Sequence, residues 1–480
     1  MHKTLYFKGF NRFFGRAKKS AARTLKERFD EIRRRAPGQL HSLFSEAVEA
    51  EKIAGANGCR ERLFPADVTF WGMLGQVFRG GSLRDAVREI QASVCAADGE
   101  RDLGNSTGSY SDARQRLPQD SVDAVHGRVC EKMMSSGGLL GGRRVMVVDG
   151  TSVQLEDTPA NQKEYCQPVG QKPGCGFPVM QIVALFNLGS SALERFSFSP
   201  HTADEGGMFD VELMEHLQAG DVLLGDRLYG SCLHFAALAA RGVDVVTRLN
   251  GSRGWPKGMR GDDVTVQWRR PAPSARPPHV TQQEWEALPA TITVRYVRYL
   301  IDIPGFRTRH IMVVTTLLEA PAKELAQLYL RRWDIELCFD DIKTTMGMDF
   351  IRAKSPAMAV KMVTMYAIAY NLVRLLMQQA ARATGCHTSA GHSMRLSFKG
   401  ALDATLRFAA EMAQASRKQW HSLRHKLLRT IAGDCLPRRL DRFEPRVVKR
   451  RPKPFPRMTV PRAVLKQRIL ANHARFQAST

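Results

Sequence analysis

Two periodicities divide the chain. Over about the first 140 residues, apolar positions recur every three to four residues, the spacing of helices that bury one face. Residues 20–35 (SAARTLKERFDEIRRR) predict a basic amphipathic helix, and residues 67–78 and 82–92 predict two more, parted by Arg79-Gly80-Gly81. Residues 111–117 (SDARQRL) open on a helix-capping serine and put Arg114 and Arg116 on a short basic helix. Glycines at 137–142 mark a boundary.

Beyond it the apolar positions form short β-branched blocks. RVMVVDG ends on Asp149-Gly150 and reads as a strand; PVMQIVALFNL and LERFSFSPH follow as strands, then a helix over 208–217. DVLLGDRLYG is a further apolar strand ending on Asp226, before a helix over 231–241 and the strand VDVVTRL. Such alternation predicts an α/β domain. Residues 250–289 are rich in Gly, Pro, Arg and Trp and read as an inserted β segment. TITVRYVRYLIDI and RHIMVVTTL form a hairpin about the turn PGFRT. A helix over 321–345 and apolar helices to about residue 412 precede a basic, proline-rich tail. The expected organisation is three regions: a helical N-terminal region over 1–140, an α/β domain over 141–355 with its β insertion at about 250–300, and a helical, basic C-terminal region over 356–480.

Charge narrows the partners. The 480 residues hold 71 Lys and Arg against 47 Asp and Glu, a surplus of 24. So basic a chain attracts polyanions, of which nucleic acid is the commonest. Nine cysteines without metal-like spacing fit a reducing compartment. The N-terminal residues lack the apolar run of a signal peptide, and the most apolar stretch, 360–377, is interrupted by Lys361 and Arg374. The expectation is a cytoplasmic protein with no membrane partner. Cys166, Cys175 and His201 read as packing or loop residues.

Chemistry enters with three acids. Asp149 and Asp226 each end an apolar strand block, where a side chain is held rigidly yet exposed to substrate, although Asp-Gly after a strand is also ordinary turn chemistry. In the helix LAQLYLRRWDIELCFDDIKTT, Tyr329, Arg332, Glu336 and Lys343 fall at about 0°, 300°, 340° and 320°, one arc of about 60°. A solvated ion-paired face would look similar, and Asp340, near about 20°, shares it, so geometry alone leaves Glu336 and Asp340 open. Magnesium takes oxygen ligands, usually one or two carboxylates each, and two ions about 4 Å apart stabilise both oxygens of an in-line phosphoryl displacement.

Three blocks resemble the DDE transposases of bacterial insertion sequences, specifically insertion-sequence family four. VVDGTSVQLEDTPANQKEY and GDVLLGDRLYGS resemble the surroundings of the first and second catalytic aspartates, at Asp149 and Asp226. YLRRWDIELCFDDIK matches the family's Tyr-Arg-Glu-Lys signature at Tyr329, Arg332, Glu336 and Lys343, which favours Glu336. YSDARQRLP and KRRPKPFPR look familiar less diagnostically. The resemblance implies a ribonuclease H-like core, its β insertion lying in the 110-residue interval between Asp226 and Glu336. It also implies two Mg2+ or Mn2+ ions at Asp149, Asp226 and Glu336, and a homodimer on two transposon ends in bacterial, nucleoid-associated DNA. The implied chemistry is a nick at the element's end, a hairpin that is reopened, and joining to target DNA. DNA contacts are expected at Tyr329, Arg332, Lys343, Arg227, Tyr229, Arg114 and Arg116, with a flipped base held by Trp255, Trp268 or Trp285. The competing readings are a nuclease of the same fold without strand transfer and a catalytically retired, transposase-derived DNA-binding protein.

Overall fold

A computed structural model describes residues 38–53, 64–97, 106–133, 140–251, 253–301, 310–384, 396–436 and 458–479. The expected helix over 20–35, the turn PGFRT and most of the basic tail lie outside them. The chain forms two compact units, one of residues up to 129 with 399–433, the other of 130–398 with 434–480. These do not follow the expected division at 355/356. The apolar helix Pro356–Ala383 belongs to the unit holding the sheet, and the helix Arg417–Gly433 to the N-terminal unit.

The first unit is helical among its described residues. Ala66–Arg79 is buried almost throughout and stops at Gly80, whose φ of 63° lets its amide bond back to Gln76 and Val77. Gly72 in that helix lets Tyr110 and Ile90 approach to where a Cβ would stand 2.9 Å from both. The short helix Gly108–Arg116 corrects one expectation. Arg114 is buried, its guanidinium 6.0 Å from the Tyr110 ring, while Arg116 is exposed. The residues Tyr110 and Ala113, buried with it, turn this helix's Arg114 side inward.

The second unit is built on one mixed sheet of β1 (Val145–Leu155), β2 (Val179–Asn187), β3 (Leu193–Pro200), β4 (Val222–Gly225), β5 (Asp244–Arg248), β6 (Asp263–Arg269), β7 (Thr291–Leu300), β8 (His310–Thr315) and β9 (Phe350–Ile351). Their order is β3-β2-β1-β4-β5-β8-β7-β6, with β9 against the end of β1. β1, β4 and β5 are parallel; β2, β3 and β8 join them antiparallel. Val145–Val148 and all of β4 are buried, as interior parallel strands covered on both faces must be. The predicted β segment adds three strands to the free side of β5, so it extends the sheet.

One face of the sheet is closed by the helical segment Glu205–His216 and the helix Cys232–Ala240, with Phe209, Leu213, Phe235 and Leu238 packed on Met146, Val148 and Leu223. The helix Pro356–Ala383 is long and apolar enough to cross a membrane, yet 94% of its most apolar window is buried within the protein. Its polar residues explain why it packs here. Asn371 both accepts from the Leu193 amide and donates to the Leu193 carbonyl, Tyr370 donates to Ser191 O at 2.9 Å, and Gln378 donates to Ser190 O at 2.9 Å. Each buried side chain satisfies backbone groups of the β2–β3 turn, which would otherwise cost about 1–3 kcal/mol apiece.

Candidate active site

The sheet register brings two of the candidate acids side by side. Val147 of β1 pairs with Leu224 of β4, so two residues further on Asp149 comes level with Asp226 on the adjacent parallel strand. Neighbouring strands run about 4.8 Å apart. Asp226 stands just past the end of β4, where its carboxylate accepts from the Leu228 amide at 2.6 Å and starts a single helical turn. Asp149 departs from the sequence expectation: β1 does not stop at Asp149-Gly150 but runs to Leu155, paired with β2 as far as Gln154. The parallel pairing with β4 is what ends near Asp149, so the carboxylate still lies at a strand tip on that side.

The third acid comes from the helical run over 322–345. It is α-helical over Ala322–Leu330 and Asp334–Asp340, tightened to a 3-10 turn at Arg331–Trp333 and widened to a π turn at Asp341–Thr345. Despite these departures from an even 100° step, its signature residues meet β1. Arg332 lies 3.4 Å from the Asp149 carboxylate, and Lys343 donates to Thr151 at 3.2 Å, Asp149 and Thr151 being alternate residues on one face of the strand. The run is fixed from behind by Arg374, almost fully buried, which holds Asp341 at 2.6 Å.

Electrostatics ties the three acids together. Burial pushes the Asp149 carboxyl above its ordinary value; the Gly150 amide and Arg332 pull it down, and the charges of Asp226 and Glu336 push it up again. Glu336, on the helical run, is among the charges that act on Asp149. A further acid, Glu205, was missed. Burial raises its carboxyl first, then the charges of Asp149 and Asp226, while Gln181 donates to it and opposes the rise. Its segment, HTADEGGM, reads as a polar turn; the one available signal is Asp204, whose side chain caps the helical start by accepting from the Gly207 amide.

Carboxylates one strand apart repel by on the order of 3 kcal/mol at an effective dielectric of about 20. Arg332 answers that repulsion at Asp149 alone. Among the described residues no three acidic, histidine or cysteine side chains close round one point. The donors here are all carboxylate oxygens, and a hard divalent ion takes one or two carboxylates and completes its shell with water and phosphate, the habit of magnesium. The residues fit that group.

Several expected DNA contacts lie elsewhere. Tyr229 is fully buried between Phe209 and His234, and its ring belongs to the core. Tyr329 and Arg332 are also buried, Tyr329 beside Arg332, so this tyrosine ring is not free to stack on a base. Arg227 is exposed and Lys343 partly so. Of the tryptophans, Trp268 and Trp285 are core residues, while Trp255 is half-buried under the Arg298 guanidinium at 4.1 Å. Trp333, on the helical run, is exposed and carries Arg332 4.7 Å over its ring.

Residues 140–372, which span every acid of this site, match the family model described as Transposase DDE domain. A curated relative from Escherichia coli (strain K12), "Transposase InsG for insertion sequence element IS4", is 24% identical over 413 residues, covering 84% of this chain and 89% of the relative. These matches support a DDE transposase of insertion-sequence family four. A second relative from that strain, "Putative transposase InsZ", is 25% identical over 177 residues, covering 36% of this chain and 56% of its own length. This transposase is thus an enzyme acting on DNA. The matched region takes in the whole sheet and the helical run, and ends inside the helix Pro356–Ala383.

Proposed function

We propose that the transposase excises and inserts its element by a cut-and-paste route, with Asp149, Asp226 and Glu336 as its catalytic, metal-holding triad. The observation that carries this reading is the β1–β4 register, which brings Asp149 beside Asp226, together with the contacts of Arg332 and Lys343 that seat the Glu336-bearing helical run on β1. The order β3-β2-β1-β4-β5, antiparallel then parallel, supports a ribonuclease H-like core with β6, β7 and β8 as its insertion.

Two Mg2+ or Mn2+ ions, when bound, supply charge to the attacking and leaving oxygens of the phosphodiester. The chain's own residues hold the acids in place: the Leu228 amide fixes Asp226, Arg332 and the Gly150 amide fix Asp149, and Lys343 stands beside Thr151 where a phosphate would lie. In the first step a water oxygen bonds to phosphorus at the element's end, and the bridging 3′ oxygen leaves and takes up a proton. That 3′ oxygen, giving up its proton, next bonds to the phosphorus of the opposite strand, whose flanking 3′ oxygen leaves and takes up a proton. The hairpin so closed reopens when a second water's oxygen bonds to the same phosphorus and the element's 3′ oxygen leaves again. In strand transfer the 3′ oxygen bonds to a target phosphorus and the target's own 3′ oxygen departs. Arg227, Arg116, Lys343 and the basic tail are the proposed contacts to terminal inverted repeats and target DNA; Arg332 and Tyr329 act from beneath, on the acids. The helical N-terminal unit is proposed to bind the ends, and a homodimer to pair them.

The test incubates the full-length protein with Mg2+ and a duplex carrying an element end. Asp149→Ala, Asp226→Ala and Glu336→Ala are each expected to retain end binding and to yield no cleaved strand. Cleavage persisting in any one of them removes that residue from the triad.

A further inference from the structure

Glu205 stands across β1 from Arg332. Side chains alternate along a strand, so Asp149 and Thr151 face the helical run while Gly150 faces the opposite way, toward Glu205. A Cβ on Gly150 would lie 2.5 Å from the Glu205 carboxylate atoms, closer than any side chain permits. The missing side chain is a notch, and the Glu205 carboxylate fills it. Gln181, on β2 beside this notch, donates to one of its oxygens. The segment that carries it is pinned at both ends: Asp204 caps its start, and Asp210 is gripped by His234 at 3.0 Å and by His279 at 2.9 Å.

An independent observation points to a ligand in the same place. The Tyr229 hydroxyl is buried without a hydrogen-bond partner. Burial pushes this hydroxyl's titration up, and the negative charges of Glu205, Asp149, Asp226 and Asp204 push it the same way. A buried hydroxyl left bare is unfavourable, so it points to a group that arrives with the substrate or ion. Water bound to a divalent ion among those acids is such a group.

We infer that Glu205 is a fourth metal-facing carboxylate of this site, entering through the notch at Gly150 from the side opposite Glu336, with the Tyr229 hydroxyl directed at the ion's water shell. The inference rests on the metal-holding role proposed for Asp149 and Asp226. It divides the acids between the two faces of β1, which suits a pair of ions better than three carboxylates alone.

The experiment titrates Mn2+ alone into the full-length protein and reads free ion by electron paramagnetic resonance, with circular dichroism to report folding. Glu205→Gln keeps the size and the bond to Gln181 but removes the charge; it is expected to weaken Mn2+ binding by about 10- to 100-fold while end-DNA binding is retained. Asp149→Asn runs beside it. If Asp149→Asn weakens Mn2+ binding and Glu205→Gln does not, Glu205 is no ligand and the inference fails alone. If neither changes binding, the metal-holding reading of the whole site fails with it. Should Glu205→Gln not fold, Glu205→Asp decides: this charged but shorter side chain is expected to bind Mn2+ more weakly, and wild-type binding would overturn the inference. Gly150→Ala, which obstructs the notch without touching an acid, is expected to lower Mn2+ affinity in the same direction.

Discussion

Lys343 illustrates what one side chain contributes at this site. It reaches Thr151 at 3.2 Å and Asp349 at 3.7 Å, and it remains partly exposed, so its charge is available above β1. Lys343→Ala is expected to weaken end binding and to reduce the slope of log affinity against log salt by about 1, the signature of one lost phosphate contact. Filter binding across salt concentrations measures it, and an unchanged slope takes Lys343 off the DNA. At this scale the three candidate acids could be picked out in the sequence because each sits at a strand block or on a signature helix. Glu205 was not, since nothing local relates a glutamate after a polar turn to a glycine 55 positions earlier; only the notch at Gly150 joins them. Arg114 and Tyr229 misled for the opposite reason. A basic residue on a short helix and a tyrosine beside an acid both look solvent-facing, yet tertiary packing buries each.

Among elements, the helical run over 322–345 matters most, because it must hold Glu336 and Arg332 against the sheet although it bends twice. Its anchor is the Arg374–Asp341 pair, 2.6 Å apart, with Arg374 also donating to the Tyr370 hydroxyl at 3.0 Å. Removing the acid leaves a buried guanidinium without its counter-charge, so Asp341→Ala is expected to destabilise the sheet-bearing unit by about 3–5 kcal/mol. Urea unfolding followed by circular dichroism reads this as a lower midpoint; an unmoved midpoint means that the run is held by packing alone. The helix pattern was plain in the sequence, whereas the 3-10 and π turns were not, being imposed by what the run packs on. The strand blocks were equally plain. The early end expected for β1 followed from treating Asp149-Gly150 as turn chemistry, when Gly150 is small because Glu205 lies over it.

For the whole molecule, the surplus of 24 positive charges sets how strongly DNA is held, and its distribution decides where. Composition made the DNA partner legible, but not the way the described residues gather into two units. A chain that leaves the sheet unit and returns to it has no local sequence mark where contacts, not linkers, draw the boundary. Between Arg438 and Arg468 there are 12 Lys or Arg and 2 acids, so this stretch alone holds 10 of the surplus charges. If that stretch tracks the phosphate backbone, each cation released from it should flatten the salt dependence by about 0.9 per lost contact. Replacing Arg438, Arg439, Arg450 and Arg451 with serine is then expected to make the slope about 3 to 4 units shallower on duplexes with or without an element end, because phosphates are the same in both. Equal slopes for variant and parent would mean that the charges near the acids and in the helical unit bind the DNA unaided, and a loss confined to end-bearing duplexes would assign the tail a part in reading sequence.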